Sequence, residues 1–118
     1  MARVAEGLRE VVERGVGVGE LVGDDAASGF AEHAVCGDQV QMSVRTAGAQ
    51  LLEVRWRASG CPASMAIAAL AAEVLREVPV ADLDVVLRQP IAARGGLERH
   101  QHHAEKMVLQ ALREALGR

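Results

Sequence analysis

This sequence contains few aromatic residues, no excess of basic residues and no long apolar run. Phe30 and Trp56 are the only members of the Phe, Trp and Tyr group, so the core has to be built from Val, Leu, Ala, Ile and Met. The net charge is −3, whereas a nucleic-acid-binding protein needs a concentrated basic face. No apolar run approaches the roughly 18 residues that cross a bilayer. We therefore expect no nucleic-acid partner and no membrane association.

Cysteine is also rare, since Cys36 and Cys61 are the only two in 118 residues. The first 22 residues carry charges throughout and do not resemble a signal peptide. We therefore expect a cytoplasmic location, in which both cysteines remain thiols. The length corresponds to a single domain that spans residues 1–118.

Hydrophobic periodicity predicts an α+β fold. The apolar spacing indicates an amphipathic helix over 2–14. Val40, Met42 and Val44 alternate with polar residues, and so do Leu52, Val54, Trp56 and Ala58. This pattern is typical of an antiparallel hairpin with one buried face. A shorter strand is expected around 30–35. Further helices are predicted over 63–78, 80–88 and 97–116, with Pro90 and the Gly95-Gly96 pair in a connector.

Two cysteines, a carboxylate and two histidines could form a metal site. Cys36 and Asp38 flank Gly37 in a predicted loop, and Cys61 precedes the helix that begins at Pro62. Backbone N–H groups and the positive end of the dipole stabilise a thiolate at such a helix start. His100 and His103 share one helix face because they are three residues apart.

Sulfur, imidazole and carboxylate ligands together suit zinc or iron. Each feature also has an ordinary interpretation. A lone cysteine is often a small buried hydrophobe, and histidines on a helix are often merely solvated.

Two short motifs carry a family resemblance. Residues 33–38 read His-Ala-Val-Cys-Gly-Asp, and residues 59–64 read Ser-Gly-Cys-Pro-Ala-Ser at the start of an Ala- and Met-rich helix. In this order and separation they resemble the U-type iron–sulfur scaffold family, which comprises IscU, the N-terminal domain of NifU, and SufU. The resemblance covers most of the chain. It implies a three-stranded antiparallel sheet with helices packed on one face.

The resemblance also implies which residues bind the cargo. Cys36, Asp38, Cys61 and His103 match the family's site, with His100 as an additional candidate ligand, for a [2Fe–2S] cluster or iron, or for zinc as an alternative occupant. Ala104 stands at the family's third cysteine, a favoured acceptor of persulfide sulfur. The sequence also departs from the family at 33–34, where Asn-Pro is usual.

The function implied is a non-enzymatic scaffold that passes a nascent cluster to acceptor apo-proteins. A cysteine desulfurase and a frataxin-like protein are the other implied partners. Chaperone binding is not implied, because residues 94–99 lack the family's Leu-Pro-Pro-Val-Lys-type segment. Three alternatives remain open: a zinc-dependent sulfur carrier, a degenerate interaction module of the same fold, and a hydrolase or transferase with Cys61 as nucleophile and His103 as base.

Overall fold

The protein is described by a computed structural model that covers residues 4–35 and 37–117. Its α+β architecture confirms the predicted fold class, with four strands and four helices in this part of the chain. The strands are β1 (Ala26–Glu32), β2 (Gln39–Ala47), β3 (Gln50–Ser59) and β4 (Val78–Pro79), and the helices are α1 (Glu6–Glu13), α2 (Pro62–Val74), α3 (Leu83–Ala93) and α4 (His102–Ala115). Short 3₁₀ turns precede α3 and α4.

The sheet is antiparallel throughout, with strand order β1-β2-β3-β4. The three predicted strands are present, and the two-residue strand β4 adds a fourth to the edge of β3. The predicted strand near 30–35 lies earlier, at Ala26–Glu32, because its pairing with β2 begins at Ala26 and ends at Glu32. The fourth strand does not change the predicted arrangement, in which helices pack on one face of a single antiparallel sheet.

The prediction that Leu52 faces the core is wrong. The pairing between β2 and β3 shifts between Arg45 and Thr46, so that Thr46 pairs with Leu51 and Arg45 pairs with Glu53. Leu52 is the extra residue of this β-bulge, and a shift of one residue reverses the face on which a side chain lies. Leu51 is consequently buried, whereas Leu52 is 39% exposed.

The helices cover one face of the sheet. Helix α2 packs on β3, α4 packs on β1 and β2, and α1 packs on α2. Nine of the thirteen residues of α2 are buried, as expected for a helix that is apolar nearly all round. Because α2 is sandwiched between the sheet and the other helices, its N-terminus is held at a fixed place beside the end of β3.

Several helix boundaries differ from the predictions. Helix α1 begins at Glu6 instead of residue 2. Helix α2 ends at Val74 instead of continuing to residue 78, and Glu77 adopts a positive φ of 59°. Helix α3 runs through Pro90 and ends at Ala93, so Pro90 is not in the connector. Proline has no N–H to donate to the carbonyl four residues earlier, and the burial of Leu87 and Ile91 in the core keeps the helix continuous past it. The final helix begins at His102, after a 3₁₀ turn.

Helix α4 lies unusually close to the edge strand β1. A Cβ atom on Gly29 would overlap the carbonyl oxygen of Ala111, so only glycine allows this approach. At the same place the Glu114 carboxylate accepts a hydrogen bond from the Phe30 N–H (3.1 Å). Among the described residues no helix is long and apolar enough to cross a membrane.

Candidate metal centre

Three separate segments meet at one end of the sheet. They are the loop between β1 and β2, the junction between β3 and α2, and the start of α4. These segments bring together Asp38, Cys61 and His103, whose ligand atoms all lie within 4.8 Å of one another. Of the predicted site residues, the structure thus places Asp38 of the loop, Cys61 at the helix start and His103 of the last helix together.

Asp38 is the most constrained member of the group. Its carboxylate is 2% exposed and accepts a hydrogen bond from the Cys61 N–H (2.9 Å, to Oδ1). The Ser64 hydroxyl donates to its other oxygen (3.1 Å, to Oδ2). Gly60 makes this arrangement possible, because it has a φ of 109° and a Cβ there would overlap Asp38 Oδ1. The carboxylate therefore binds the first turn of α2, a place where negative charge is favoured.

The pKa of Asp38 lies below its usual range. Burial raises this pKa, but the hydrogen bonds from the Cys61 N–H, His103 and Ser64, together with the charge of His103, lower it by more. The carboxylate is consequently ionised at neutral pH, as a metal ligand must be.

His103 is oriented by its own backbone neighbourhood. Its Nδ1 lies 3.0 Å from the carbonyl oxygen of His100, and since a carbonyl only accepts, Nδ1 carries a hydrogen and donates. Its Nε2 then faces Asp38 Oδ2 at 3.1 Å. Because an ionised carboxylate only accepts, Nε2 donates to Asp38 when no metal is bound. A metal that displaces this proton would bind Nε2, while Nδ1 keeps its hydrogen bond to the carbonyl. The His103 side chain is 17% exposed.

The donor set fits a tetrahedral ion. Ligand bonds of about 2.0 to 2.3 Å to zinc place neighbouring ligand atoms about 3.3 to 3.7 Å apart. The separation of 3.1 Å between His103 Nε2 and Asp38 Oδ2 is already close to this range. Thiolate, imidazole and carboxylate together suit zinc or iron rather than calcium or magnesium.

The remaining predicted residues have different outcomes. Cys36 lies outside the residues that the structure describes. The His100 side chain is 59% exposed and its Nε2 lies 3.7 Å from Glu98, so the structure does not bring its ring to the group; its carbonyl instead orients His103. Ala104, at the position of the family's third cysteine, is fully buried.

Two further residues at the centre were not among the predicted ligands. Ser64 is fully buried and holds Asp38 through its hydroxyl. The ring of His33 lies against that of His103, with centroids 4.6 Å apart and planes tilted by 48°. The alternation of β1 was the available signal for His33, because it places residues 29, 31 and 33 on the side of the sheet that faces α4.

The centre is accessible from solvent. A cavity of about 490 Å³ opens beside His103, and Glu32, His33, Arg99, His100 and Lys106 contribute to its walls. This volume is many times the roughly 30 Å³ that one water molecule occupies in the liquid. Cys61 itself is half-buried. An ion, or a side chain of another protein, could therefore reach His103 and Cys61 without local unfolding.

This chain matches one protein-family model and is similar in sequence to NifU-type and IscU-type proteins. The family model described as the NifU-like N terminal domain matches residues 12–118. A bifunctional NifU/MnmA protein from Rubrobacter xylanophilus is 35% identical over 97 residues, which are 80% of this chain and 20% of that protein. An iron–sulfur cluster assembly scaffold protein IscU of Archaeoglobus fulgidus is 25% identical over 100 residues, 84% of this chain and 65% of that protein. The chain thus spans about a fifth and about two thirds of these relatives.

Solved structures share the fold at low identity. A NifU-like N-terminal protein from Brucella abortus superposes with a TM-score of 0.70 at 12% identity, over 95% of this chain and 90% of that one. A putative iron–sulfur cluster assembly scaffold for the SUF system from Fervidobacterium islandicum gives a TM-score of 0.75 at 14% identity, over 94% of each chain. The family match extends over nearly all of the sequence and includes every residue of the candidate centre. The chain therefore belongs to the NifU-like N-terminal domain family, that of the U-type iron–sulfur cluster scaffolds.

Proposed function

We propose that this protein is an iron–sulfur cluster assembly scaffold, which holds a nascent [2Fe–2S] cluster or an iron ion and passes it to acceptor proteins. Cys36, Asp38, Cys61 and His103 are the proposed ligands. One observation supports this most strongly: Asp38, Cys61 and His103 come from three separate segments, yet their ligand atoms lie within 4.8 Å of one another. Core packing alone would not require a thiol, a carboxylate and an imidazole to meet beside a solvent cavity.

A cargo has to be released as well as held, and the mixed ligand set favours release. A carboxylate oxygen is a harder ligand than a thiolate and suits soft iron–sulfur chemistry less well. Asp38 also has hydrogen-bond donors at Cys61 and Ser64, so it keeps partners when a metal leaves. The half-buried position of Cys61 leaves a path for an acceptor's ligands. In this proposal the chain itself catalyses no turnover, and a cysteine desulfurase supplies the sulfur.

Anaerobic reconstitution with ferric iron and sulfide, the components of an oxidised [2Fe–2S] cluster, tests the proposal. We expect a brown protein with bound iron and sulfide, which passes its cluster to an apo-protein of the [2Fe–2S] class. Cys36→Ala and Cys61→Ala should each abolish cluster binding, and His103→Ala should weaken it. His100→Ala is the matched control, since it removes an exposed imidazole from the turn before α4 and should leave binding unchanged. A wild-type protein that stays colourless under these conditions would contradict the proposal.

Zinc is the second candidate occupant, because the three donors converge on a single point and zinc is bound singly by such mixed sets. A zinc-dependent sulfur carrier would bind one zinc per chain, stay colourless and accept sulfur on Cys36 or Cys61. Metal analysis of the protein as purified, followed by persulfide labelling after incubation with a desulfurase, separates the two functions.

A further inference from the structure

A second imidazole stands beside the candidate centre. The rings of His33 and His103 have centroids 4.6 Å apart, and their planes are tilted by 48°. His33 belongs to the β1–β2 loop that carries Asp38, whereas His103 belongs to α4. The two rings therefore meet across the junction between sheet and helix.

The backbone holds His33 in this position. Its N–H donates to the Asp38 carbonyl (2.8 Å), and its own carbonyl accepts from the Gly37 N–H (2.7 Å). These bonds close the loop into a compact turn whose two ends are His33 and Asp38. Alternate residues of β1 face α4, since Ala31 is buried and Glu32 is exposed. His33, two residues after Ala31, therefore faces α4 as well.

The distance between the rings matches two imidazoles on one ion. With a metal–nitrogen bond of about 2.0 Å and the ring centre about 1.1 Å beyond the nitrogen, each centroid lies about 3.1 Å from the metal. At a tetrahedral angle the two centroids are then about 5 Å apart. The separation of 4.6 Å is close to this value. His33 lies outside the group of ligand atoms within 4.8 Å of one another, so a rotation of its side chain is needed to direct a ring nitrogen to the ion. The tilt of 48° also differs from parallel stacking, in which the faces of the two rings would lie against each other.

The chemistry of the centre leaves a place for this ligand. Asp38 Oδ1 accepts a hydrogen bond from the Cys61 N–H and Oδ2 accepts one from the Ser64 hydroxyl, so each oxygen has only part of its acceptor capacity left for a metal. Ala104 offers no donor atom at all. An imidazole from the loop would thus supply the ligand that an alanine at position 104 cannot.

We propose that His33 is a metal ligand of this centre and binds the same ion as His103. The resulting set of the Cys61 thiolate and two imidazoles, with Asp38 as a neighbouring or exchanging carboxylate, suits zinc or one iron of a [2Fe–2S] cluster that has histidine ligands. This inference rests on the proposed function, because it requires that the centre bind a metal.

Zinc competition with a chromogenic chelator, and Co²⁺ spectra of the same proteins, test the assignment. His33→Asn should lower the zinc affinity by at least about tenfold, since loss of even an outer-sphere partner of a ligand costs this much. His100→Asn is the matched control and should change the affinity by less than about twofold, as surface substitutions do. Thermal unfolding in chelator shows whether either variant is misfolded.

His33→Cys distinguishes a ligand from a neighbour that only supports His103. If residue 33 binds the ion, the new thiolate should add intensity to the sulfur-to-Co²⁺ charge-transfer band of the folded protein. An unchanged band, or unchanged zinc affinity in His33→Asn, would overturn the assignment of His33. If the wild-type protein binds zinc and Co²⁺ and Cys61→Ser loses both, such a result leaves the proposed function intact. Failure of the wild-type protein to bind any of these metals, or iron and sulfide, would overturn both proposals.

Discussion

Replacement of Asp38 by alanine should destabilise the metal-free protein strongly. The substitution removes a buried carboxylate that accepts from Cys61 and Ser64 and lies 3.1 Å from His103. The Ser64 hydroxyl is fully buried, so it would lose its acceptor without access to water. Each buried donor left without a partner costs about 1–3 kcal/mol, and loss of one member of a buried charged pair costs about 3–5 kcal/mol.

We therefore expect Asp38→Ala to lower the free energy of unfolding by about 3–5 kcal/mol. For a chain of this size each kcal/mol shifts the Tm by about 3–5 °C, so the Tm should fall by about 9–25 °C. The assay is urea and thermal unfolding in excess chelator, which removes any contribution from bound metal. Asp84→Ala is the control, because Asp84 pairs with Arg113 at the surface and such pairs contribute about 0–1 kcal/mol.

The effect should also depend on pH in a defined direction. The pKa of Asp38 is lowered in the folded protein, so its ionised form stabilises the fold at every pH above the ordinary aspartate value of about 4. As the pH falls below that value and through the lowered pKa, this stabilisation is lost. The difference in stability between wild type and Asp38→Ala should shrink as the pH falls below about 4. A cost equal to that of Asp84→Ala, or a difference that does not shrink below about pH 4, would refute the reasoning.

Two further substitutions probe the same centre. Gly60→Ala should lower the free energy of unfolding by about 1–3 kcal/mol and weaken metal binding, because φ is 109° there and the added Cβ would overlap Asp38 Oδ1. Gly48→Ala is the control, since the space around Gly48 is open and metal binding should stay unchanged. Equal zinc affinities of the two variants would contradict this prediction. Ala104→Cys should tighten metal binding or restore sulfur acceptance, as measured by zinc competition and persulfide labelling, since it places a third thiol next to His103; if it does neither, the position of the family's third cysteine has been assigned wrongly.

The sequence predicts the parts of this fold that depend on local patterns. The alternation around Met42 and Trp56 indicates a half-buried hairpin, and Pro62 marks a helix start; both predictions are confirmed. Leu52 was predicted wrongly because a β-bulge depends on how two strands pair, and a single strand does not contain that information. Pro90 looks like a helix end from its chemistry alone, yet the packing of Leu87 and Ile91 in the core keeps the helix continuous around it.

The candidate centre was predictable to a similar extent. Local motifs indicate that a cysteine, an aspartate and a histidine are donors, because helix starts and glycine-flanked loops are recognisable in sequence. They do not indicate which second histidine stands near His103. Spacing along the helix favours His100, whereas the structure places His33 against the ring. The choice depends on how far α4 is rotated relative to β1, and that rotation is set by the close approach at Gly29.

The contact between Glu114 and the Phe30 N–H has a consequence for solubility. Strand β1 is an edge strand of the sheet, and the unpaired N–H and C=O groups of an exposed edge strand can pair with a strand of another chain. The carboxylate of Glu114 occupies a donor that such a polypeptide would need. A neutral, shorter side chain at position 114 would expose that donor and make the purified protein more prone to self-association through added strands.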